Sequence, residues 1–85
     1  MYRIAFTKRA NRSLRKMSQT TARLIREKLE HLAQDPHAHN PNVTKLQGRP
    51  GYRLRVGDWR VIYELEDDQL VILVLKIASR GEVYR

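Results

Sequence analysis

Three arginines on a short alternating stretch are the residues of this sequence best suited to bind a polyanion. Arg53, Arg55 and Arg60 lie within the run GYRLRVGDWRVIYEL, residues 51–65. A guanidinium keeps its charge near neutral pH and offers paired N–H donors that match the geometry of phosphate. Such groups hold a phosphate and stabilise the charge that redistributes on it during cleavage. The stretch therefore predicts a phosphate-binding surface.

The same stretch predicts a β-hairpin that gathers the three arginines on one face. Gly57-Asp58 separates two alternating runs, and a two-residue loop that begins with Gly is typical of a type II′ turn. Counting outward from this turn, Arg55 lies opposite Arg60, with Arg53 on the same face. The other face is apolar and predicts the core side; it carries Tyr52, Leu54, Val56, Trp59, Val61, Tyr63 and Leu65.

The opposed pair of Arg55 and Arg60 has a structural and a functional interpretation. Arginines are common on the solvent face of a strand, where they keep a sheet soluble. Like charges directly across a strand pair nevertheless destabilise it, and a bound polyanion would turn that repulsion into attraction. Because local conflicts of this kind are expected at functional sites, we favour the functional interpretation.

The elements before the hairpin are a strand and two helices. Residues 2–7 alternate and predict a first strand, after which Thr7 caps a short basic helix. A second helix begins at Ser18 or Thr20, carries an apolar stripe, and ends at Asp35-Pro36. A polar loop over residues 35–44 then leads toward the hairpin.

The predicted order β-α-α-β-β-β indicates an α+β fold. Two N-terminal helices pack on one face of a mainly antiparallel sheet, whose last strand includes the apolar run of residues 70–75. The first strand must join an edge of that sheet. We expect a single domain over residues 1–85, with the arginines on the face that the helices leave open.

The position of Arg80 depends on the turn after the hairpin. A two-residue loop at Asp67-Asp68 puts Arg80 on the core side by strict alternation. A three-residue loop, residues 67–69, sets Lys76 opposite Arg60 and brings Arg80 and then Tyr84 to the open face. We prefer the three-residue loop because a buried, unpaired Arg80 is costly, although a bulge near residues 79–81 would rescue either register.

Composition limits the classes of partner and site. Seventeen basic against nine acidic side chains give a formal net charge of +8, which predicts an anionic partner. The chain has no cysteine, and its longest apolar run is only a strand in length. We expect a soluble cytoplasmic protein without a membrane partner. His37 and His39 lack a third ligand in the pattern, so no metal or cofactor is expected.

These residues resemble the RelE/ParE superfamily of bacterial toxin–antitoxin systems along nearly the whole chain. The most specific parts are Lys45-Leu46-x-Gly48, the run of residues 52–63, and Arg80 followed by Val83-Tyr84. RelE members are ribosome-dependent endoribonucleases that cut mRNA, and ParE members poison gyrase. The resemblance implies a toxin with an acidic, extended antitoxin as its cognate partner, with the ribosome and mRNA as targets of a RelE-like member. The antitoxin complex would be the route to operator DNA.

The resemblance also implies roles for five residues. Arg53 and Arg55 fall where RelE-type enzymes place two basic residues on one strand. Arg60 matches the residue that binds the scissile phosphate, Arg80 the late catalytic basic residue, and Tyr84 the near-terminal tyrosine that contacts the substrate nucleotide. These five residues form the candidate catalytic set.

The sequence departs from the RelE pattern at two positions. RNA-cleaving members often carry Lys-Lys where this chain has Arg53 and Arg55, and often a basic residue where it has Ser79. The guanidinium of Arg55 stays protonated near neutral pH and is not a ready base for the 2′-hydroxyl proton. Alternatives for this base are Glu82, Tyr84, or the substrate and its ribosomal surroundings. A ParE-like toxin without nuclease activity and a non-catalytic nucleic-acid-binding module therefore remain as further hypotheses.

Overall fold

The protein folds as two helices on one face of a five-stranded sheet, followed by a short helical turn. The structure is a computed structural model and describes residues 1–83. The elements are β1 (Arg3–Phe6), α1 (Lys8–Lys16), α2 (Gln19–Gln34), β2 (Val43–Lys45), β3 (Tyr52–Val56), β4 (Trp59–Glu66), β5 (Val71–Ser79) and α3 (Arg80–Val83). No helix of this described part is long and apolar enough to cross a membrane.

Both long helices start at the caps that the sequence predicts. The Thr7 hydroxyl accepts the backbone N–H of Ala10, and the Ser18 hydroxyl accepts that of Thr21. Each cap satisfies an amide that has no partner within its helix. The helices bury an apolar stripe against the sheet: Ala10 and Leu14 of α1, and Ala22, Ile25, Leu29, Leu32 and Ala33 of α2.

The strand order is β1-β5-β4-β3-β2, so the first strand lies at an edge, as predicted. It pairs in parallel with β5, and every other pair is antiparallel. The α+β fold with two helices on a mainly antiparallel sheet is confirmed. The edge strand β2 and the turn α3 were not predicted, because three or four residues are too few for a periodic pattern.

The central hairpin has the predicted register. Tyr52 pairs with Tyr63, Leu54 with Val61, and Arg55 with Arg60. Gly57 has a φ of 58° while Asp58 does not have a positive φ, which matches a type II′ turn. The core face packs on the helices, and Tyr63 is fully buried in it.

The second turn and the register of β5 differ from the prediction. The turn has four residues, 67–70, since Glu66 pairs with Val71, and Leu70 is 49% exposed within it. Arg60 faces Ala78 rather than Lys76. The prediction of a three-residue loop was therefore wrong. That register would have placed Ile72 and Val74 on the open face, whereas the structure buries both against the helices.

A bulge in β5 returns the last residues of the strand to the faces that the predicted register gave them. Tyr63 pairs with Val74 and Ile62 with Lys76, which leaves Leu75 as the extra residue. The Thr7 hydroxyl donates to the Leu75 carbonyl at 2.8 Å, and the Thr7 amide donates to that of Val74 at 3.0 Å. Beyond the bulge Ile77 points to the core, and Lys76 therefore lies on the opposite face.

Candidate functional site

Two rows of side chains cross the sheet on the face away from the helices. One row runs Thr44, Arg53, Ile62 and Lys76 across strands β2 to β5, and the next row runs Arg55, Arg60 and Ala78. We call Arg53, Arg55 and Arg60 the arginine face. All three predicted side chains lie together, because a hairpin with a two-residue turn leaves no freedom in their register.

Arg55 and Arg60 face each other but their guanidinium groups diverge. Arg55 donates from Nη2 to Oδ1 of Asn42 at 3.1 Å. Arg60 donates from Nη1 to the carbonyls of Gly57 at 2.9 Å and Trp59 at 3.0 Å. One side chain thus extends toward the loop before β2 and the other toward the hairpin turn, which separates the two charges.

A shallow depression opens between these anchored side chains. Its volume is about 260 Å³, and its lining consists of Pro41, Asn42, Thr44, Arg53, Arg55 and Arg60. The lining offers cationic and neutral N–H and O–H groups and no carboxylate. A depression of this composition suits a phosphate group bonded from more than one side.

Arg80 lies beside the same hairpin turn. It is the first residue of α3, and its backbone N–H donates to the Asp58 carbonyl at 2.8 Å. Its side chain is exposed. Strand β5 ends at Ser79, so a change of secondary structure rather than strand alternation sets the position of Arg80. Tyr84 lies outside the described residues.

Arg55 and Arg60 have no carboxylate partner among the described residues. Both bond to uncharged acceptors. Glu64 and Glu66 lie on the same face of β4 but farther from the hairpin turn. Arg55 and Arg60 therefore present positive charge that an anionic ligand would neutralise.

A hydrogen-bonded cluster occupies the opposite end of β4, about 20–25 Å from the hairpin turn at the usual strand rise. Asp67 accepts a 2.6 Å hydrogen bond from the Tyr2 hydroxyl and lies 2.8 Å from Nε2 of His37. These two bonds hold the pKa of Asp67 below its usual value. His37 thus binds a carboxylate that belongs to the turn after β4. No group of three His, Asp or Glu side chains among residues 1–83 is arranged to hold a metal ion.

The architecture and sequence match a family of toxins from toxin–antitoxin systems. Residues 4–84 match the family described as the ParE toxin of the type II toxin–antitoxin system, parDE. The chain belongs to this family. Within the wider RelE/ParE superfamily it is nearer to RelE, as the relatives below indicate.

Relatives of this RelE/ParE toxin include proteins of known structure. An Escherichia coli protein named as a RelE-like toxin is 24% identical over 98% of this chain and 90% of its own length. RelE in the archaeal RelE–RelB complex from Pyrococcus horikoshii OT3 is 32% identical, covers 94% of this chain and 96% of its own, and superposes with a TM-score of 0.80. The isolated Escherichia coli RelE toxin is 28% identical over 99% and 92% of the two chains, with a TM-score of 0.80.

One residue of this toxin's open face was not among the predicted site residues. Lys76 is half-buried beside the arginine face, in one row with Arg53 and diagonal to Arg60. The predicted register had it opposite Arg60, on the correct face but at the wrong position. Only the bulge at Leu75 reveals where it lies, and the pattern of residues 70–79 carries no signal for that bulge.

Proposed function

We propose that this toxin is a RelE-like, ribosome-dependent mRNA endonuclease that cleaves RNA without a metal ion. The observation that carries the proposal is the depression lined by Arg53, Arg55 and Arg60, three cations around a space that can accept a phosphate. The 2′-hydroxyl of the RNA would attack the adjacent phosphorus. The likeness to RelE toxins over almost the full chain supports this choice.

The arginines would stabilise the phosphate as its charge redistributes. Arg60 suits contact with the scissile phosphate, because its bonds to the Gly57 and Trp59 carbonyls hold Nη1 and leave Nε–H and Nη2–H donors for a ligand. Arg53 and Arg80 would add charge from either side. A preorganised donor of this kind is worth roughly 3–4 kcal/mol in the transition state. Tyr84 would stack on a substrate base, with about 1–3 kcal/mol typical of such a contact.

The expected partners are an acidic antitoxin, the ribosome and mRNA, all in the cytoplasm. Solved complexes of RelE-type relatives with RelB support the antitoxin. We expect it to cover the arginine face or to displace the C-terminal segment with Arg80 and Tyr84, and to bring the complex to operator DNA. An extended acidic chain can order itself along a basic surface of this kind.

Protection of the arginine face would test this mode of neutralisation. Arg55 and Arg60 should lose reactivity toward an arginine-selective reagent when the antitoxin binds, while Arg12 and Arg23, exposed on the helices, keep theirs. An antitoxin that inhibits and leaves both the arginine face and the C-terminal segment reactive would contradict the proposal.

A second candidate function is gyrase inhibition of the ParE type. The family match to ParE toxins favours it, as does the presence of arginines where a proton acceptor is needed. Primer extension on mRNA translated with and without the purified toxin separates the two functions. New ribosome-dependent ends support the nuclease, whereas intact mRNA together with blocked supercoiling by gyrase would replace it with the ParE-type function.

A further inference from the structure

The arginine face lacks a group that can take a proton from the substrate. Metal-free RNA cleavage requires removal of the 2′-hydroxyl proton as the 2′-oxygen bonds to phosphorus. A guanidinium stays protonated under these conditions, so none of Arg53, Arg55 and Arg60 performs this step well. A lysine amine is able to, because an ammonium group gives up its proton far more readily than a guanidinium does.

Lys76 is the amine that the fold places beside these arginines. Lys76 pairs with Ile62 of β4, and Ile62 pairs on its other side with Arg53 of β3. Lys76 and Arg53 therefore flank Ile62. Arg60 pairs with Ala78, which puts Lys76 at the diagonal position, about 7–8 Å away between backbones and within reach of long side chains. Ile62 is only 3% exposed, although α1 and α2 cover the other face of the sheet. This burial fits an arrangement in which the aliphatic parts of the Arg53 and Lys76 side chains lie over Ile62.

The bulge at Leu75 is what makes this placement possible. Without the extra residue, alternation from Ile72 and Val74 would turn Lys76 toward the helices. Two bonds from Thr7, to the Val74 and Leu75 carbonyls, hold the bulge between β1 and α1. Bulges commonly re-aim a side chain next to a functional site.

Of the two carboxylates that the described part of β4 places on this face, Glu64 and Glu66, Glu64 is the nearer to the arginines. It lies two residues beyond Ile62 on β4 and pairs with Leu73, so it is one row farther from Arg60 than Lys76 is. Among the described residues, the other charged neighbours of Lys76 on the open face are Arg53 and Arg60, and Arg80 follows directly after the end of β5. Lys76 forms no ion pair with a carboxylate of the described residues, and its amine is therefore available to a substrate.

We propose that Lys76 is the general base of this toxin, a role that rests on the proposed nuclease function. Its unprotonated amine accepts the 2′-hydroxyl proton as the 2′-oxygen–phosphorus bond forms and the bond from phosphorus to the 5′-oxygen breaks. The leaving 5′-oxygen takes a proton from water. The products are a 2′,3′-cyclic phosphate and a 5′-hydroxyl, and Lys76 returns its proton to solvent.

Two substitutions at position 76 separate proton transfer from charge. Lys76→Ala and Lys76→Arg should each lower single-turnover cleavage of ribosome-bound mRNA by about 10²–10⁴-fold, the usual contribution of a general base. Lys76→Arg keeps the charge and the stem, so it tests the role even if the alanine variant folds poorly. Glu64→Gln and Lys45→Arg are the matched controls and should cleave as the wild type does; Lys45 is exposed on the other face of β2.

Chemical rescue makes the test specific for a base. Ethylamine added to Lys76→Ala should restore cleavage in proportion to its concentration, more basic primary amines should rescue better at equal free-base concentration, and guanidinium should not rescue. Cleavage by Lys76→Arg within a few-fold of wild type, or equal rescue by guanidinium, would show a purely electrostatic role and overturn the proposal. Loss of activity in Glu64→Gln alone would move the base to Glu64. A wild type that cuts no ribosome-bound mRNA would instead overturn the nuclease function itself, and this inference with it.

Discussion

Arg55 and Arg60 are direct cross-strand partners, yet each bonds away from the other, Arg55 to Asn42 and Arg60 to the carbonyl of Gly57. The Arg55 amide donates to the Asn42 carbonyl on the β2 side, so the two arginines form a non-hydrogen-bonded pair on the β4 side. Cα atoms of such pairs lie about 4.5 Å apart, where side chains are closest. The fold accepts a repulsive contact there and separates the charges around a phosphate-sized depression.

Removal of one charge from this pair should stabilise the protein. We expect Arg55→Gln to raise the free energy of unfolding by about 0.2–1 kcal/mol in low salt, since the neutral amide keeps a donor for Asn42 and loses the repulsion. The gain should shrink as salt screens the charges. Urea unfolding at low and high salt measures both effects. Arg49→Gln, at an exposed arginine outside the strands, is the control, and an equal gain there would show a general charge effect.

Cleavage should depend on individual arginines far more than ribosome binding does. Arg60→Ala and Arg80→Ala should each lower single-turnover mRNA cleavage by about 10²–10³-fold, as for loss of one preorganised donor. Ribosome affinity, measured by co-sedimentation, should fall far less, because under the proposed function many basic side chains of α1 and α2 would share the contact. Parallel losses of cleavage and affinity would indicate a binding role alone.

The core contains a hydroxyl that costs stability. Tyr63 is 0% exposed, and its Oη has no hydrogen-bond partner in the described part of the chain. Tyr63→Phe should therefore raise the free energy of unfolding by about 1 kcal/mol or more, because the penalty for an unsatisfied buried group disappears. The ring contact with Tyr52, 5.5 Å between centroids, is retained. Tyr52→Phe, at a half-buried ring, should change stability less.

Tyr63 also makes stability fall in alkali. Burial, followed by the charge of Tyr52, raises the pKa of Tyr63 from 10.0 to about 12. The unfolded chain then loses this proton at lower pH than the folded one, so stability declines as pH rises from about 10 to 12. Tyr63→Phe should lessen that decline, which unfolding curves across this range detect. An unchanged decline would show that other groups cause it.

The cluster at Asp67 predicts a loss of stability in acid. Hydrogen bonds from Tyr2 and then His37 lower the pKa of Asp67, so its contribution is present above the unfolded value of 3.8 and is lost as pH falls through the folded value. Tyr2→Phe removes the largest cause and should flatten the decline below about pH 4. Asp68→Asn, at the neighbouring exposed carboxyl, is the control for unfolding measured over the same range.

Much of the candidate site could be predicted from local sequence. The Gly57-Asp58 turn and the alternation on either side determine that Arg53, Arg55 and Arg60 share a face. A two-residue turn admits one register, and a shift of one residue would move every side chain of the strand to the opposite face of the sheet. The caps at Thr7 and Ser18 were predictable for a similar reason, since each bonds to an amide three residues away.

The end of β5 was decided by packing that no local pattern encodes. Val74 and Ile77 are three residues apart and both are buried in the core, so one residue between them must break the alternation. The parallel pairing of β1 with β5, together with the hydrogen bonds from Thr7, makes Leu75 that residue. The bulge at Leu75 places Lys76 on the same face as the arginines. The hydrogen bond from the Arg80 amide to the Asp58 carbonyl fixes where α3 begins. Turn chemistry acts within four residues, whereas the bulge depends on contacts between residues almost seventy positions apart, which exist only once the sheet has formed.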